Sequence, residues 1–183
     1  MVQTLKNKKG FTLIEVVVVI GIISILAMVT TPLMRQTIQN YKLKGAAREI
    51  YSNLQKAKLE AIKQNSNVVM AFTTGAYAAE GGVGGYETFI DNGGEDGTGT
   101  EGDSVRNGSE VIISAGSITK NITLITASFT GGTSKAKFTG QGLPIGFGGS
   151  VQVRNTTRWY KITVSSAGNI KLEISSDGTN FVL

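Results

Sequence analysis

Lys8-Lys9-Gly10-Phe11-Thr12-Leu13-Ile14-Glu15 opens a run that stays apolar or small as far as Met34, with Glu15 as its one charge. As a helix rising about 1.5 Å per residue, residues 11–34 would cover about 36 Å, enough to cross the ~30 Å hydrocarbon core of a bilayer. The flank before it carries Lys6, Lys8 and Lys9, which the positive-inside rule keeps on the cytoplasmic side. A secretory signal peptide has a shorter apolar stretch of about 7–15 residues, closed by a small-x-small cleavage site. Here the run is longer, and Ala27-Met28-Val29 offers no such site. Hydropathy alone would equally accept a plain signal anchor. Glu15 argues for more, because a carboxylate in hydrocarbon costs about 2.5 kcal/mol or more and is expected to have a partner.

A basic pair, a glycine, then an apolar segment with glutamate at its fifth position resembles the type III leader of type IV pilins and pseudopilins. The resemblance implies that a prepilin peptidase cuts after Gly10 and methylates the new amino terminus at Phe11. It further implies that Glu15 neutralises the terminal amine of a neighbouring subunit during filament assembly. A buried carboxylate is tolerable mainly when paired, which agrees with that role.

Beyond Met34 the helical pattern changes character. Leu43, Ala46, Ala47, Ile50, Leu54, Ala57 and Ala61 recur at three- and four-residue steps, with Lys44, Arg48, Gln55, Lys56, Glu60 and Lys63 filling most other positions. That is an amphipathic helix belonging to a folded head. Pro32 and Gly45 are expected weak points. Asn65, Ser66 and Asn67 should end a helix of about 80 Å. The remainder reads as strands over 68–73, 86–90, 111–114, 122–126, 135–139, 151–154, 159–164 and 170–174, each β-branched or aromatic and bounded by turn residues. Residues 75–85 and 92–108 are expected as long mobile surface loops. The fold class is therefore α+β: a long N-terminal helix whose amphipathic half packs on an antiparallel sheet. With the resemblance, the expected organisation is a cleaved leader (1–10), a transmembrane half-helix (11–34), an amphipathic half-helix (35–66) and a β-rich periplasmic region (67–183).

Further stretches resemble the GspH/FimT group of minor pseudopilins. They are Ala47-Arg48-Glu49 with Leu54, Ala57, Glu60-Ala61-Ile62 and Asn65; Tyr86-Glu87-Thr88-Phe89-Ile90-Asp91-Asn92-Gly93 with Asp103 and Val105; Phe138-Thr139-Gly140-Gln141-Gly142; and Ile162-Thr163-Val164-Ser165 before Gly168. The resemblance implies a single-pass inner-membrane subunit with a periplasmic head, acting in a type II secretion or type IV pilus-like filament. Its implied partners are the prepilin peptidase, other pilin or pseudopilin subunits and inner-membrane lipid.

Composition narrows the chemistry. The chain has 183 residues, no cysteine and no histidine, so thiolate chemistry and the commonest general base and metal ligand are absent. Of 18 basic residues three lie in the leader, and without them fifteen face 13 acidic ones, which is not the footprint of a dedicated nucleic-acid binder. Ser117-x-x-Lys120 and Ser134-x-x-Lys137 lack the motifs that accompany a serine–lysine nucleophile, so no catalytic residue and no cofactor is assigned. Asp91, Asp96 and Asp103 are weak candidates for Ca²⁺, but Glu95, Glu101 and these three read better as solvated loop charges.

DNA binding is the alternative function. Relatives that take up DNA carry a glycine-arginine motif, whose counterpart here, Gly168-Asn169-Ile170-Lys171, keeps only Lys171. Arg154, Arg158 and Lys161 could add contacts, yet phosphate affinity scales with the number of cations, and this reading is not favoured.

Overall fold

The computed structural model describes residues 10–79, 81–94, 98–107 and 109–183, with residues 30–33 in backbone alone. The chain divides into two units, Met1–Ile38 and Gln39–Leu183. Helix α1, Leu13–Gln64, starts in the first and ends in the second.

In the first unit every side chain from 11 to 29 is exposed. Apolar residues occupy the whole circumference, since Val16, Val17, Val18, Val19 and Ile20 cover more than one full turn. Leu13–Val29 covers only about 25 Å at the helical rise, and no single helix among the described residues is long and apolar enough to cross a membrane. Leu13–Val29 and Met34–Gln64 meet that test only when taken together, by length and composition.

In the second unit the apolar stripe read from the sequence is the buried one. Leu43, Ala47, Ile50, Leu54, Ala57 and Ala61 are fully buried, and Ala46 packs at their margin. The helix ends where a left-handed residue closes it: Asn65 has φ 49°. Its N–H donates to Ile62 O, and Ser66 N–H donates to Ala61 O. Those two bonds form a Schellman cap, which satisfies carbonyls that would otherwise be orphaned.

Among the described residues eight strands follow: β1 Asn67–Thr73, β2 Gly85–Asp91, β3 Ile112–Ser117, β4 Thr123–Phe129, β5 Lys135–Phe138, β6 Gly149–Arg154, β7 Trp159–Val164 and β8 Ile170–Ser175. They make two antiparallel sheets, ordered β3-β2-β1-β5 and β4-β6-β7-β8, where the sequence suggested one sheet region. The division comes from β5, which returns to pair with β1 while β6, β7 and β8 form successive hairpins beside β4. Alternation sends Val151, Val153, Tyr160, Ile162 and Val164 of one sheet, and Val68, Met70, Phe72 and Phe138 of the other, into a single core with the helix stripe. Tyr86 ties helix to sheet. Its hydroxyl donates to Glu49 Oε1 at 2.6 Å and accepts from Asn53 Nδ2 at 3.0 Å. Burial and then the Glu49 bond push its phenol well above the usual range, so it acts as a neutral donor.

Parts of the two glycine-rich loops, expected as long mobile surface segments, are tied to the strands. Val83 bridges to Thr123, and Gly84 O accepts from Ile118 N–H. Residues 102–106 fold back over the outer face of β2. Asp91 Oδ1 and Oδ2 accept from Gly102 and Ser104 N–H, while Arg106 pairs with Glu87 at 2.9 Å. Glu87, Phe89 and Asp91 share that outer face by alternation. Phe89 and its register partner Val69 are thereby buried outside the main core.

Leu54 is fully buried in the stripe. Leu54→Ala should destabilise the head by about 2–5 kcal/mol, read as a lowered unfolding midpoint in detergent; Leu59→Ala, on the exposed side of the same helix, should leave the midpoint nearly unchanged.

Candidate functional site

The start of α1 is set by Thr12. Thr12 Oγ1 accepts the Glu15 N–H at 3.3 Å, and Thr12 O accepts the Val16 N–H as the first helical bond. Thr12 is thus the N-cap and Glu15 the third helical residue, the spacing of a capping box. Thr12-x-x-Glu15 was a signal available in the sequence that the leader reading passed over. Two consequences follow. The first turn is satisfied from residue 12 onward, so a cut after Gly10 would leave it whole. Glu15 also stands in the first turn, at the positive end of the helix dipole.

Phe11, Glu15, Val16, Val19 and Ile20 line one shallow groove along the helix. Phe11 and Glu15 are both exposed, and among the described residues no cation pairs with Glu15. The site therefore presents one carboxylate in an otherwise apolar groove. Residues 1–9, the rest of the expected leader, lie outside the described residues.

The basic residues considered for DNA fall on the β6-β7-β8 sheet, and three of them share a face. Arg154 pairs in register with Trp159, Lys161 lies between Gln152 and Glu173, and Lys171 lies beside Thr163. Arg154 and Lys161 have partners of their own, whereas Lys171 is exposed. The Arg154 guanidinium is held 4.1 Å from both the Tyr77 and the Trp159 rings, and its Nε donates to Asn155 O. Lys161 Nζ lies over Phe181, with the Glu173 carboxylate on the facing position. Arg158 belongs to the β6–β7 turn, where its N–H donates to Asn155 Oδ1. Arg154 covers one face of the Trp159 ring, and Gly178 also lies close to that ring. The turn itself is tied to the helix, since the buried Asn155 donates through Nδ2 to Asn40 Oδ1 at 2.9 Å.

The acidic candidates are staples. Asp91 is 1% exposed, not solvated as the sequence suggested, and both its oxygens are taken by backbone N–H groups. Asp103 accepts from Val105 N–H and Asn107 Nδ2. Glu110, also buried, accepts from Gly93 and Asn107 N–H. Asp96 lies outside the described residues, and among those described no group of three carboxylates is placed to hold a metal. Burial is the largest influence on Asp91 and raises its pKa, against the two N–H bonds that lower it.

A capped, predominantly apolar helical segment joined to a head of two antiparallel sheets is the architecture of a pilin-class subunit. The chain belongs to the GspH family: the profile of the type II transport protein GspH matches residues 46–168, and the prokaryotic N-terminal methylation motif matches residues 5–31. Among curated proteins it is 35% identical over 86 residues to the pilin-like protein PilA1 of Thermus thermophilus, a match over 46% of this chain and 49% of the relative. The chain thus spans about half the length of that relative. Among solved structures it is similar to the type IV minor pilin FimU of Pseudomonas aeruginosa, with TM-score 0.51 and 16% identity over 78% of this chain and 94% of the other. That likeness shows the fold. The family is one of minor pilins and pseudopilins of type IV pilus and type II secretion systems, not of enzymes.

Asp91 gives a test by pH. A carboxyl raised in the folded state contributes stability at acid pH and loses it as pH rises through its folded pKa. The stability of the native chain relative to Asp91→Asn should therefore fall between about pH 3 and neutrality, measured by urea unfolding of both proteins. A difference that grows with pH would mean the Gly102 and Ser104 donors outweigh burial.

Proposed function

We propose that this chain is a minor pseudopilin that assembles into, or primes, a type II secretion or type IV pilus-like filament. It is inserted once in the bacterial inner membrane with its head in the periplasm. A prepilin peptidase removes residues 1–10, and Phe11 becomes the methylated amino terminus. The observation that carries this reading is the first unit: a helix apolar on every side, with every described side chain from 11 to 29 exposed and one unpartnered carboxylate a few residues from the cut. Such a surface has to be covered by lipid first and by other helices afterwards.

Glu15 supplies the registration. In an apolar bundle its carboxylate is stable only beside a cation, and the chemistry on hand is the amine that cleavage creates on the Phe11 of an adjacent subunit. A wrongly staggered helix would leave both charges unpaired. The methylation motif and the family supply the context for this pairing. DNA binding gains little support, because Arg154 and Lys161 already have partners within the head, which leaves Arg158 and Lys171.

Two variants separate assembly from helix capping. Glutamine at position 15 keeps the capping-box side chain but not its charge, whereas alanine removes both. Losing one member of a buried pair costs about 3–5 kcal/mol. Glu15→Ala and Glu15→Gln should therefore both insert into the membrane yet enter sheared filaments at least about a hundredfold less than the native chain. Normal incorporation of Glu15→Gln would reduce Glu15 to a helix cap.

A further inference from the structure

The head carries an exposed apolar ridge that its own core does not use. Residues 143–147 run antiparallel to the end of β5: Phe138 bridges Pro144, Ile145 N–H donates to Lys137 O, and Thr139 N–H donates to Leu143 O. Leu143, Ile145 and Phe147 occupy alternate positions of this run, and all three are exposed, Phe147 at 87%. Ridge and helix adjoin, because any Cβ on Gly142 would press on the Ile62 side chain. Leu59 and Ile62, on the outward side of α1, are exposed as well.

The ridge is built and held. Phe147 N–H donates to Thr130 Oγ1 at 2.7 Å, and Thr130 returns both its N–H and its hydroxyl to Gly148 O. Gly146 has φ 88°, and a side chain there would collide with Thr130. Three large apolar groups are thus fixed in place while facing water. A loop with no partner gains nothing from that arrangement, whereas a rigid, preorganised patch lowers the entropy lost on binding.

We propose that Leu143, Ile145 and Phe147, continued by Leu59 and Ile62, form the lateral docking surface for a second pilin-class subunit in the same filament. Two observations choose this occupant. Five side chains cannot supply the ~800 Å² per partner that an independent stable complex buries, so the partner must already be held close. Helix packing does that by raising effective concentration. The ridge is also continuous with the outward face of α1, the element that does the packing. The proposal rests on the filament reading given above.

The chain has no native cysteine, so single cysteines report cleanly. Phe147→Cys and Ile23→Cys, each labelled with a thiol-linked photocrosslinker in cells making the filament, should both give adducts whose partner, identified by mass spectrometry, carries the prepilin N-terminal motif. An adduct from Ile23→Cys but none from Phe147→Cys would overturn the ridge and leave the filament reading standing. Adducts from neither would overturn both. Capture at Phe147→Cys of a protein without that motif would also overturn the proposal. Phe147→Ser, which removes only an exposed side chain, should keep processing and the unfolding midpoint while lowering incorporation about tenfold or more, the factor expected for one lost buried aromatic. Unchanged incorporation would contradict it.

Discussion

Apolar surface on every side of a helix cannot be reconciled with water by any folding of that helix alone, and this constraint shapes the rest of the molecule. From Leu13 to Val29 the chain has no internal cover. At about 25 cal/mol per Å² of exposed apolar surface, the drive to cover it exceeds any single contact within the head. Lipid satisfies the drive in a membrane and neighbouring helices satisfy it in a filament, so passage between the two needs little net change in hydrophobic energy. What distinguishes the two environments is the charge. On the proposed reading Glu15, costly against lipid and stable against a cation, would bias the helix toward a bundle in which a cation sits at one height. Thr12 keeps the helix start intact beside it.

The same helix serves a different chemistry after Ile38. There one stripe, from Leu43 to Ala61, is buried on the two sheets, and small residues at positions 47, 57 and 61 let the sheets approach closely. Polar ties fix its rotation. Glu49 and Asn53 hold Tyr86 of β2, Lys58 Nζ reaches Gly168 O, and Asn40 holds the β6–β7 turn through Asn155. A head locked in this way moves as one body with residues 39–64 of the helix, and its surface, including the 143–147 ridge, is presented to a neighbour from that half.

Much of this could be read from the sequence. The buried stripe is the one its three- and four-residue spacing gave, and each of the eight strands lies within a few residues of its β-branched run, because period and turn chemistry are local properties. The partition into two sheets was not legible. It depends on β5 leaving its sequence neighbours to pair with β1, a long-range choice with no local signature. The acidic glycine loop misled for a related reason. Asp91 looks like a solvated loop charge until Gly102 and Ser104 are seen to return to it. Arg154 looks like a free cation until Tyr77 and Trp159 are seen to hold it. The leader motif was fully legible, although its strength as a resemblance hid the plainer capping role that Thr12 also has.

The most direct test of the central claim, that this is a processed pilin-class subunit whose apolar helix begins at a newly made amino terminus, is the intact mass and N-terminal sequence of the protein taken from its native membrane. A chain beginning at methylated Phe11 is the predicted result. A chain retaining residues 1–10, in cells with an active prepilin peptidase, would contradict it and leave the helix an ordinary anchor.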